Sequence, residues 1–119
     1  MKFTDSHEWI KIENDIGIVG ITDVAQRELG EIVYVELPAV GKQVKAGQEI
    51  AVLESTKAAA DIYSPVSGEI IEINQKLLDF IHHINKSAEQ EGWLFKIKLA
   101  QPKELEGLLT REQYLKIAR

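Results

Sequence analysis

The residue best placed to do chemistry is a lysine between two short apolar stretches of the chain. Lys57 lies 10 residues after Gly47 and 11 residues before Gly68, so it falls at the tip of a nearly symmetric predicted hairpin. An exposed lysine at a turn is usually only solvated. Here the flanking strands are apolar, and the neighbours at the tip have small side chains that leave the amine accessible: Ser55, Thr56, Ala58, Ala59 and Ala60. This combination favours a lysine that an enzyme modifies.

Two acidic residues flank this lysine, one near each end of the hairpin tip. Glu54 and Asp61 stand where their carboxylates can hydrogen-bond an enzyme that approaches the amine. We therefore predict a modification site at Lys57, with recognition by the surrounding residues Glu54, Ser55, Thr56, Ala58 and Asp61. No catalytic residue is predicted in the chain itself.

Other kinds of chemistry lack the residues they need. The chain has no cysteine, which excludes disulfides, a thiolate nucleophile and iron–sulfur sites. Two of the three histidines, His82 and His83, are adjacent and would project about 100° apart on a helix, unlike an i, i+4 metal-binding pair. The glycines lie at hairpin turns and form no phosphate-binding loop. The sequence therefore predicts no assembled active site and no metal site.

The composition is that of an ordinary globular protein with an acidic surface. The 119 residues include 14 Lys plus Arg and 19 Asp plus Glu, a net charge of −5, which argues against a nucleic-acid-binding surface. The length predicts one domain over residues 1–119. No membrane-spanning or targeting stretch is recognisable, so we expect a cytoplasmic protein. Acidic residues such as Glu28 and Glu31 in the first half could face a basic partner.

Short strands punctuated by glycine, proline and asparagine fill most of the chain. A hairpin over 48–64 presents Lys57, and a strand over 32–37 places Val33, Val35 and Leu37 on one face. A late strand alternates in the same way, with Trp93, Phe95, Ile97 and Leu99 on one side. The predicted core contains Trp9, Val33, Val35, Leu53, Ile62, Ile70, Trp93, Phe95 and Ile97.

Three helical segments are predicted. Thr22 and Gly30 offer an N-cap and a C-terminal glycine for a short helix near 23–30. Asn74 is a cap candidate for a helix that would carry Leu77, Ile81 and Ile84. In the C-terminal segment 102–118, Pro102 opens one helix, and the capping box Thr110-Arg111-Glu112-Gln113 opens a second with Tyr114 and Ile117 inward.

The region around Lys57 resembles the lipoyl-attachment hairpin. The matching residues are Gly47-x2-Ile50-x2-Leu53-Glu54-Ser55-x-Lys57-Ala58-x3-Ile62-x-Ser64-Pro65-x2-Gly68. Biotin carriers tend to have Met on both sides of the lysine, whereas Thr56 and Ala58 stand here and favour lipoate. The resemblance implies a mostly-β barrel-sandwich hybrid of the lipoyl-domain kind, with lipoate in amide linkage to Lys57.

Within that superfamily the chain resembles the glycine cleavage H proteins over nearly its whole length. The opening His7-Glu8-Trp9 and the late Glu91-Gly92-Trp93-Leu94-Phe95-Lys96-Ile97 are similar to the family's pattern. A longer motif matches almost residue for residue: Gly20-Ile21-Thr22-Asp23-x-Ala25-Gln26-x2-Leu29-Gly30-Glu31-Ile32-Val33-Tyr34-Val35-Glu36-Leu37-Pro38-x2-Gly41.

One segment departs from the family's pattern. Ile81 stands where the family usually has a proline, which removes a helix breaker, and Ile84-Asn85 remain recognisable. The run Lys86-Ser87-Ala88-Glu89-Gln90 replaces the family's Pro-Tyr-Gly stretch, in a loop that lies near the docked lipoyl arm in the family. Two interpretations stay open, drift in a tolerant loop or a carrier that serves another lipoate-dependent system.

The resemblance implies a carrier protein and not an enzyme. A lipoyl group on Lys57 would take the aminomethyl group from a pyridoxal-phosphate glycine decarboxylase to a tetrahydrofolate-dependent aminomethyltransferase. It would pass electrons to a dihydrolipoamide dehydrogenase, and a lipoate-attaching enzyme would install it. A monomer is expected. Two alternatives remain: an H-like carrier or donor for another system (a relay to 2-oxoacid dehydrogenases, or redox signalling), and an unmodified interaction module.

Overall fold

The chain folds into two antiparallel β-sheets, and a computed structural model describes residues 1–118. The strands in chain order are β1 (Lys2–Phe3), β2 (Glu8–Glu13), β3 (Ile16–Ile21), β4 (Ile32–Glu36), β5 (Gln43–Val44), β6 (Glu49–Ser55), β7 (Ala59–Tyr63), β8 (Gly68–Ile73) and β9 (Phe95–Leu99). The larger sheet has the order β1-β2-β3-β9-β8-β5, and the smaller has the order β4-β6-β7. The predicted mostly-β sandwich is confirmed.

Both sheets contribute alternate side chains to one apolar core. Leu53 from β6 and Ile62 from β7 meet Ile70, Phe95 and Ile97 from the larger sheet. Burying a side chain of this size stabilises the fold by about 1.5–3 kcal/mol relative to leaving it exposed. Most of the predicted core is confirmed as buried: Trp9, Val35, Leu53, Ile62, Ile70, Phe95 and Ile97.

Two predicted core residues are not buried as expected. Val33 is 52% exposed, because β4 has a register shift against β6 between Ile32 and Tyr34. An extra residue in one strand interrupts the alternation, so Ile32 and Val35 both face inward while Val33 faces out. Trp93 precedes β9 and is only half-buried, and its neighbour Leu94 is fully buried instead.

The first predicted helix is confirmed. Helix α1 (Asp23–Leu29) begins after Thr22, whose hydroxyl accepts a hydrogen bond from the Ala25 N–H at 3.2 Å. It ends at Gly30, whose φ of +82° lies in the region that favours glycine. A side-chain oxygen at the N-cap and a glycine after the last helical residue are therefore sufficient to delimit this short helix.

The middle segment does not form the single predicted helix. Residues Gln75–Leu78 form a 3₁₀ turn and α2 (His83–Lys86) a short separate helix. Asn74 makes no capping bond, since its buried amide donates to the carbonyls of Glu91 at 2.9 Å and Trp93 at 2.8 Å. The prediction was wrong because the Asn74 amide bonds to the backbone of the segment before β9. The start of the helix is therefore left uncapped.

The C-terminal segment is helical but packs through fewer residues than expected. Pro102–Gly107 form a 3₁₀ helix, and α3 (Arg111–Ile117) follows with the predicted capping box between Thr110 and Gln113. Tyr114 is buried as predicted, whereas Ile117 is 55% exposed. The inward positions are Tyr114 and Ala118, four residues apart, so Ile117 lies to the side of the contact.

None of the helices in residues 1–118 is long and apolar enough to cross a membrane.

Candidate functional site

Lys57 occupies the tip of the β6–β7 hairpin, as the sequence spacing predicts. Leu53 pairs with Ala60 and Glu54 with Ala59, and the Ser55 N–H donates to the Ala58 carbonyl at 2.7 Å. The residues between the strands are therefore 56–58, with Lys57 in the middle and exposed. The two strands continue into the core through Leu53, which makes the hairpin a rigid mount for one amine.

The turn is held together by the hydroxyl of Ser55. Its oxygen accepts hydrogen bonds from the backbone N–H of Lys57 at 3.2 Å and of Ala58 at 3.0 Å. A serine side chain that accepts from backbone groups two and three residues later replaces a backbone turn. Ser55 thus orders the lysine backbone, a task that its position in the sequence does not reveal.

A second support comes from the backbone before β4. The Thr56 N–H donates to the Glu31 carbonyl at 3.1 Å, which ties the turn to the segment that follows α1. The Lys57 side chain lies over Gly30, because a Cβ added to that glycine would stand 3.1 Å from Lys57 Cε and 3.9 Å from Nζ. The stem of the lysine therefore rests on a bare stretch of backbone.

The predicted acidic neighbours share the outward face of the hairpin. Glu54 pairs with Ala59 and Asp61 with Val52, so both side chains lie on the face opposite Leu53, and both are exposed. Within residues 1–118 neither carboxylate forms an ion pair. The sequence-predicted set is thus gathered on one hairpin: Lys57, Glu54, Ser55, Thr56, Ala58 and Asp61. Ser55 is engaged through its hydroxyl and Thr56 through its backbone N–H.

A groove of about 310 Å³ lies beside the hairpin, between β7 and α1. Its floor is apolar and comes from Ile21, Ala25, Leu29 and Ile62, and its polar residues include Glu28, Asp61 and His7. The apolar floor and polar rim suit a group that is mostly hydrocarbon with a polar end.

Sequence reasoning missed a buried carboxylate at the start of β2. Glu8 is 1% exposed and accepts hydrogen bonds from the Ser6 hydroxyl at 2.6 Å, from the Thr4 hydroxyl and from the Tyr63 N–H at 3.2 Å. Burial raises the pKa of Glu8 above its ordinary value, and the hydrogen bonds from Ser6 and Thr4 oppose that rise. The only signal in the sequence is the spacing of Thr4, Ser6 and Glu8, which brings two hydroxyls to one carboxylate.

The rings of His7 and His83 contact aromatic side chains of the fold. His7 Nδ1 lies 2.7 Å from the Tyr114 hydroxyl, which in turn lies 2.6 Å from Thr22 Oγ1. Burial also raises the pKa of Tyr114, so its hydroxyl stays protonated through the physiological range. This series of hydrogen bonds joins α3 to the N-terminal end of α1. Elsewhere, the ring of His83 stacks on the ring of Phe80, with the two ring centroids 5.6 Å apart. Within residues 1–118 no three metal-ligating side chains come together.

The segment that departs from the family's pattern is firmly attached to the rest of the chain. The Trp9 indole N–H donates to the Ala88 carbonyl at 3.0 Å, and Ala88 itself is buried. Glu89 accepts from the Asp23 N–H at 3.0 Å and pairs with Arg111 at 3.1 Å. One strand and two helices are therefore joined through residues 88 and 89, which form a connection within the fold and not a loose loop.

A two-sheet sandwich that presents one exposed lysine at a rigid hairpin tip belongs to the class of lipoyl-type carrier domains. The family model described as "Glycine cleavage H-protein" matches residues 1–119. This chain belongs to the glycine cleavage H-protein family.

Curated relatives and a solved structure resemble the chain along nearly its full length. A "Probable glycine cleavage system H protein" of Aeropyrum pernix is 52% identical over 119 residues, covering 100% of this chain and 83% of that protein. A "Glycine cleavage system H protein" of Thermotoga maritima is 51% identical over 113 residues, covering 95% and 91%. The crystal structure of a glycine cleavage system H protein from Mycobacterium marinum has a TM-score of 0.89 at 36% identity, covering 97% and 93%.

Proposed function

We propose that this protein carries a lipoyl group in amide linkage to Lys57 and serves as the carrier of the glycine cleavage system. The observation that carries the proposal is the exposed lysine at the tip of an ordered hairpin, in a chain of this family. The surroundings fit the group, because no bulky side chain flanks the amine and an apolar groove of about 310 Å³ lies beside β7. When attached, lipoate supplies a dithiolane that carries the aminomethyl group and electrons.

The protein's own residues position that group and do no bond chemistry. Ser55 and the Glu31 carbonyl fix the backbone of the turn, and Gly30 leaves space for the lysine stem. The hairpin therefore holds the attachment point still while the arm beyond it moves. Tethering of this kind gives local concentrations on the order of millimolar at a docked partner. A carrier of this design needs no catalytic residue, and we propose that the chain is not an enzyme.

The proposal includes four partner enzymes. A glycine decarboxylase with pyridoxal phosphate loads the arm, an aminomethyltransferase with tetrahydrofolate unloads it, and a dihydrolipoamide dehydrogenase reoxidises it. A lipoate-attaching enzyme recognises the hairpin, with Glu54 and Asp61 as the exposed groups that it meets around Lys57. The net charge of −5 gives no support for nucleic acid as a partner. The proposed carrier is a cytoplasmic monomer that meets each enzyme in turn.

Attachment is tested by intact-mass measurement after incubation with a lipoate-attaching enzyme, ATP and lipoate. The wild-type chain should gain one lipoyl group, and Lys57→Arg should gain none. Lys45→Arg is the matched control, because Lys45 is also exposed and also lies in a turn between strands, yet it should leave the reaction unchanged. A lipoyl group that persists in Lys57→Arg, or is absent from the wild type, contradicts the proposal.

The identity of the system is tested by complementation. Because the segment 81–90 departs from the family's pattern, a carrier for another lipoate-dependent system was an alternative. This segment makes hydrogen bonds to strands and helices of this chain, through residues such as Ala88 and Glu89. We therefore expect the lipoylated protein to restore growth on glycine as nitrogen source to a bacterial strain that lacks its own H protein. Failure of a fully lipoylated protein to do so would favour a relay to 2-oxoacid dehydrogenases or a redox role.

A further inference from the structure

A half-buried asparagine amide holds the backbone segment beneath the attachment lysine. Asn85, on α2, accepts a hydrogen bond from the Ile32 N–H at 2.8 Å through Oδ1. Its Nδ2 donates to the Gly30 carbonyl at 2.8 Å and to Gln26 Oε1 at 3.0 Å. The side-chain amide therefore bridges Gly30 and Ile32 as the peptide group of a neighbouring strand would.

The segment that Asn85 holds contacts the attachment site in two ways. Gly30 forms the surface over which the Lys57 stem lies, with Cε 3.1 Å from the position that a Cβ would take. Glu31, between the two residues that the amide bridges, accepts the Thr56 N–H at 3.1 Å. Support for the lysine stem and an anchor for its turn thus both come from residues 30 and 31.

No other side chain within residues 1–118 hydrogen-bonds the backbone of this segment. Gly30 has a positive φ and lacks a side chain, so little in its own covalent structure restricts it. A position of this kind keeps one conformation only where its surroundings impose it. The Asn85 amide, with partners on both sides of Glu31, supplies that restraint.

We propose that Asn85 is a positioning residue for the attachment lysine: it fixes Gly30–Ile32 so that Lys57 is presented in one orientation to the enzymes that load and use it. This role rests on the proposed function, because it concerns lipoyl attachment at Lys57. It assigns a task to a residue within the divergent segment 81–90, one that keeps the family's pattern and lies outside the hairpin that carries the lysine.

The variant Asn85→Leu tests this role, because leucine has nearly the same size and no charge but cannot form the three hydrogen bonds. Asn74→Leu is the matched control. Asn74 is also an asparagine whose amide donates to two carbonyls, those of Glu91 and Trp93, but it makes no hydrogen bond to residues 30–32 or 56. Both substitutions remove comparable bonds, so both are expected to lower the melting temperature.

Two readouts separate positioning from stability. The first is kcat/KM for lipoyl attachment, measured by intact mass well below the melting temperature of either variant. The second is hydrogen–deuterium exchange at the Thr56 amide in the unmodified chain. Since a net hydrogen bond contributes about 1 kcal/mol, Asn85→Leu should lower kcat/KM and speed Thr56 exchange by about five-fold or more. Asn74→Leu should change neither by as much as two-fold.

The outcomes are distinguishable. Equal effects of the two substitutions on attachment and exchange would overturn the positioning role and leave only stability. A wild-type chain that never gains lipoate would overturn the proposed function, and Thr56 exchange would still decide whether Asn85 orders the turn. If Asn85→Leu does not fold, Gln26→Ala removes one acceptor of the Asn85 amide, together with the bond that Gln26 Nε2 donates to Asp23 Oδ1 at 2.9 Å. A smaller effect of the same sign on attachment and Thr56 exchange supports the role, and no change overturns it.

Discussion

Replacing Gly30 with alanine is expected to lower the free energy of unfolding by about 1–3 kcal/mol, the usual cost of a non-glycine residue in a glycine-only region. The backbone at Gly30 has φ +82° and ψ −158°, a combination that alanine rarely adopts. The added Cβ would also stand 3.1 Å from Lys57 Cε. Because that atom is near the end of a flexible, exposed side chain, it moves aside at little cost. The loss of stability should therefore come from the backbone conformation at Gly30. The change in how Lys57 is presented should come from the contact between the added Cβ and Lys57 Cε.

Thermal and urea denaturation of the unmodified protein measure the first effect. For a chain of this length, a loss of 2 kcal/mol corresponds to a fall in melting temperature of about 8 °C. The same loss is expected in a Lys57→Ala background, where the contact is absent. Gly47→Ala is the matched control for the second effect, since Gly47 has φ +84° but no heavy atom within 4 Å of its added Cβ. It should lose stability and keep the wild-type rate of lipoyl attachment, whereas Gly30→Ala should attach lipoate more slowly.

Two results would refute this reasoning. A change below about 0.5 kcal/mol for Gly30→Ala would show that the backbone there adopts an ordinary conformation at no cost. Disappearance of the loss in the Lys57→Ala background would show that the side-chain contact, and not the positive φ, dominates the free energy.

Three further predictions follow from groups around the site. Tyr114→Phe removes the hydroxyl that reaches Thr22 Oγ1 at 2.6 Å, so the free energy of unfolding should fall by about 1–3 kcal/mol in urea denaturation; a change within error would contradict the bond's contribution. Burial raises the pKa of Glu8, so the folded state holds that proton more tightly than the unfolded chain. The resulting stability is present below its ordinary pKa of 4.5 and is lost as the pH rises. Glu8→Gln should flatten this slope of unfolding free energy against pH, and an unchanged slope would exclude Glu8 as its source. Charge reversal at Glu28 and Glu31 should raise KM for partners with a basic cleft several-fold, most strongly at low salt, and unaltered partner kinetics would count against an acidic docking surface.

The hairpin could be predicted because its determinants are local. Strand alternation, a run of small residues and two glycines at nearly equal distances place Lys57 at the tip without reference to the rest of the fold. The same holds for α1, which has Thr22 at its N-cap and Gly30 at its end, and for the capping box before α3. In each case the residues that define the element lie within a few positions of one another.

The parts that could not be predicted depend on distant partners. Val33 alternates correctly in the sequence, but the bulge against β6 turns it outward. Asn74 has the type of a helix cap, yet its amide bonds to backbone 17 and 19 residues away. Glu8 and Asn85 are ordinary polar residues in the sequence, and only the fold brings their partners to them. Hydrogen bonds across the chain therefore decide the roles that residue type leaves open.

The bond from the Trp9 indole to the Ala88 carbonyl has a consequence for how the segment around it tolerates change. The acceptor belongs to the main chain, so any amino acid at position 88 that fits the buried space supplies the same oxygen. Point substitutions there are compatible with an intact Trp9 contact, whereas insertion or deletion of a single residue would displace the carbonyl along the chain by about 3.8 Å and break it. Across related proteins, the segment around position 88 should therefore vary in amino-acid identity more readily than in length.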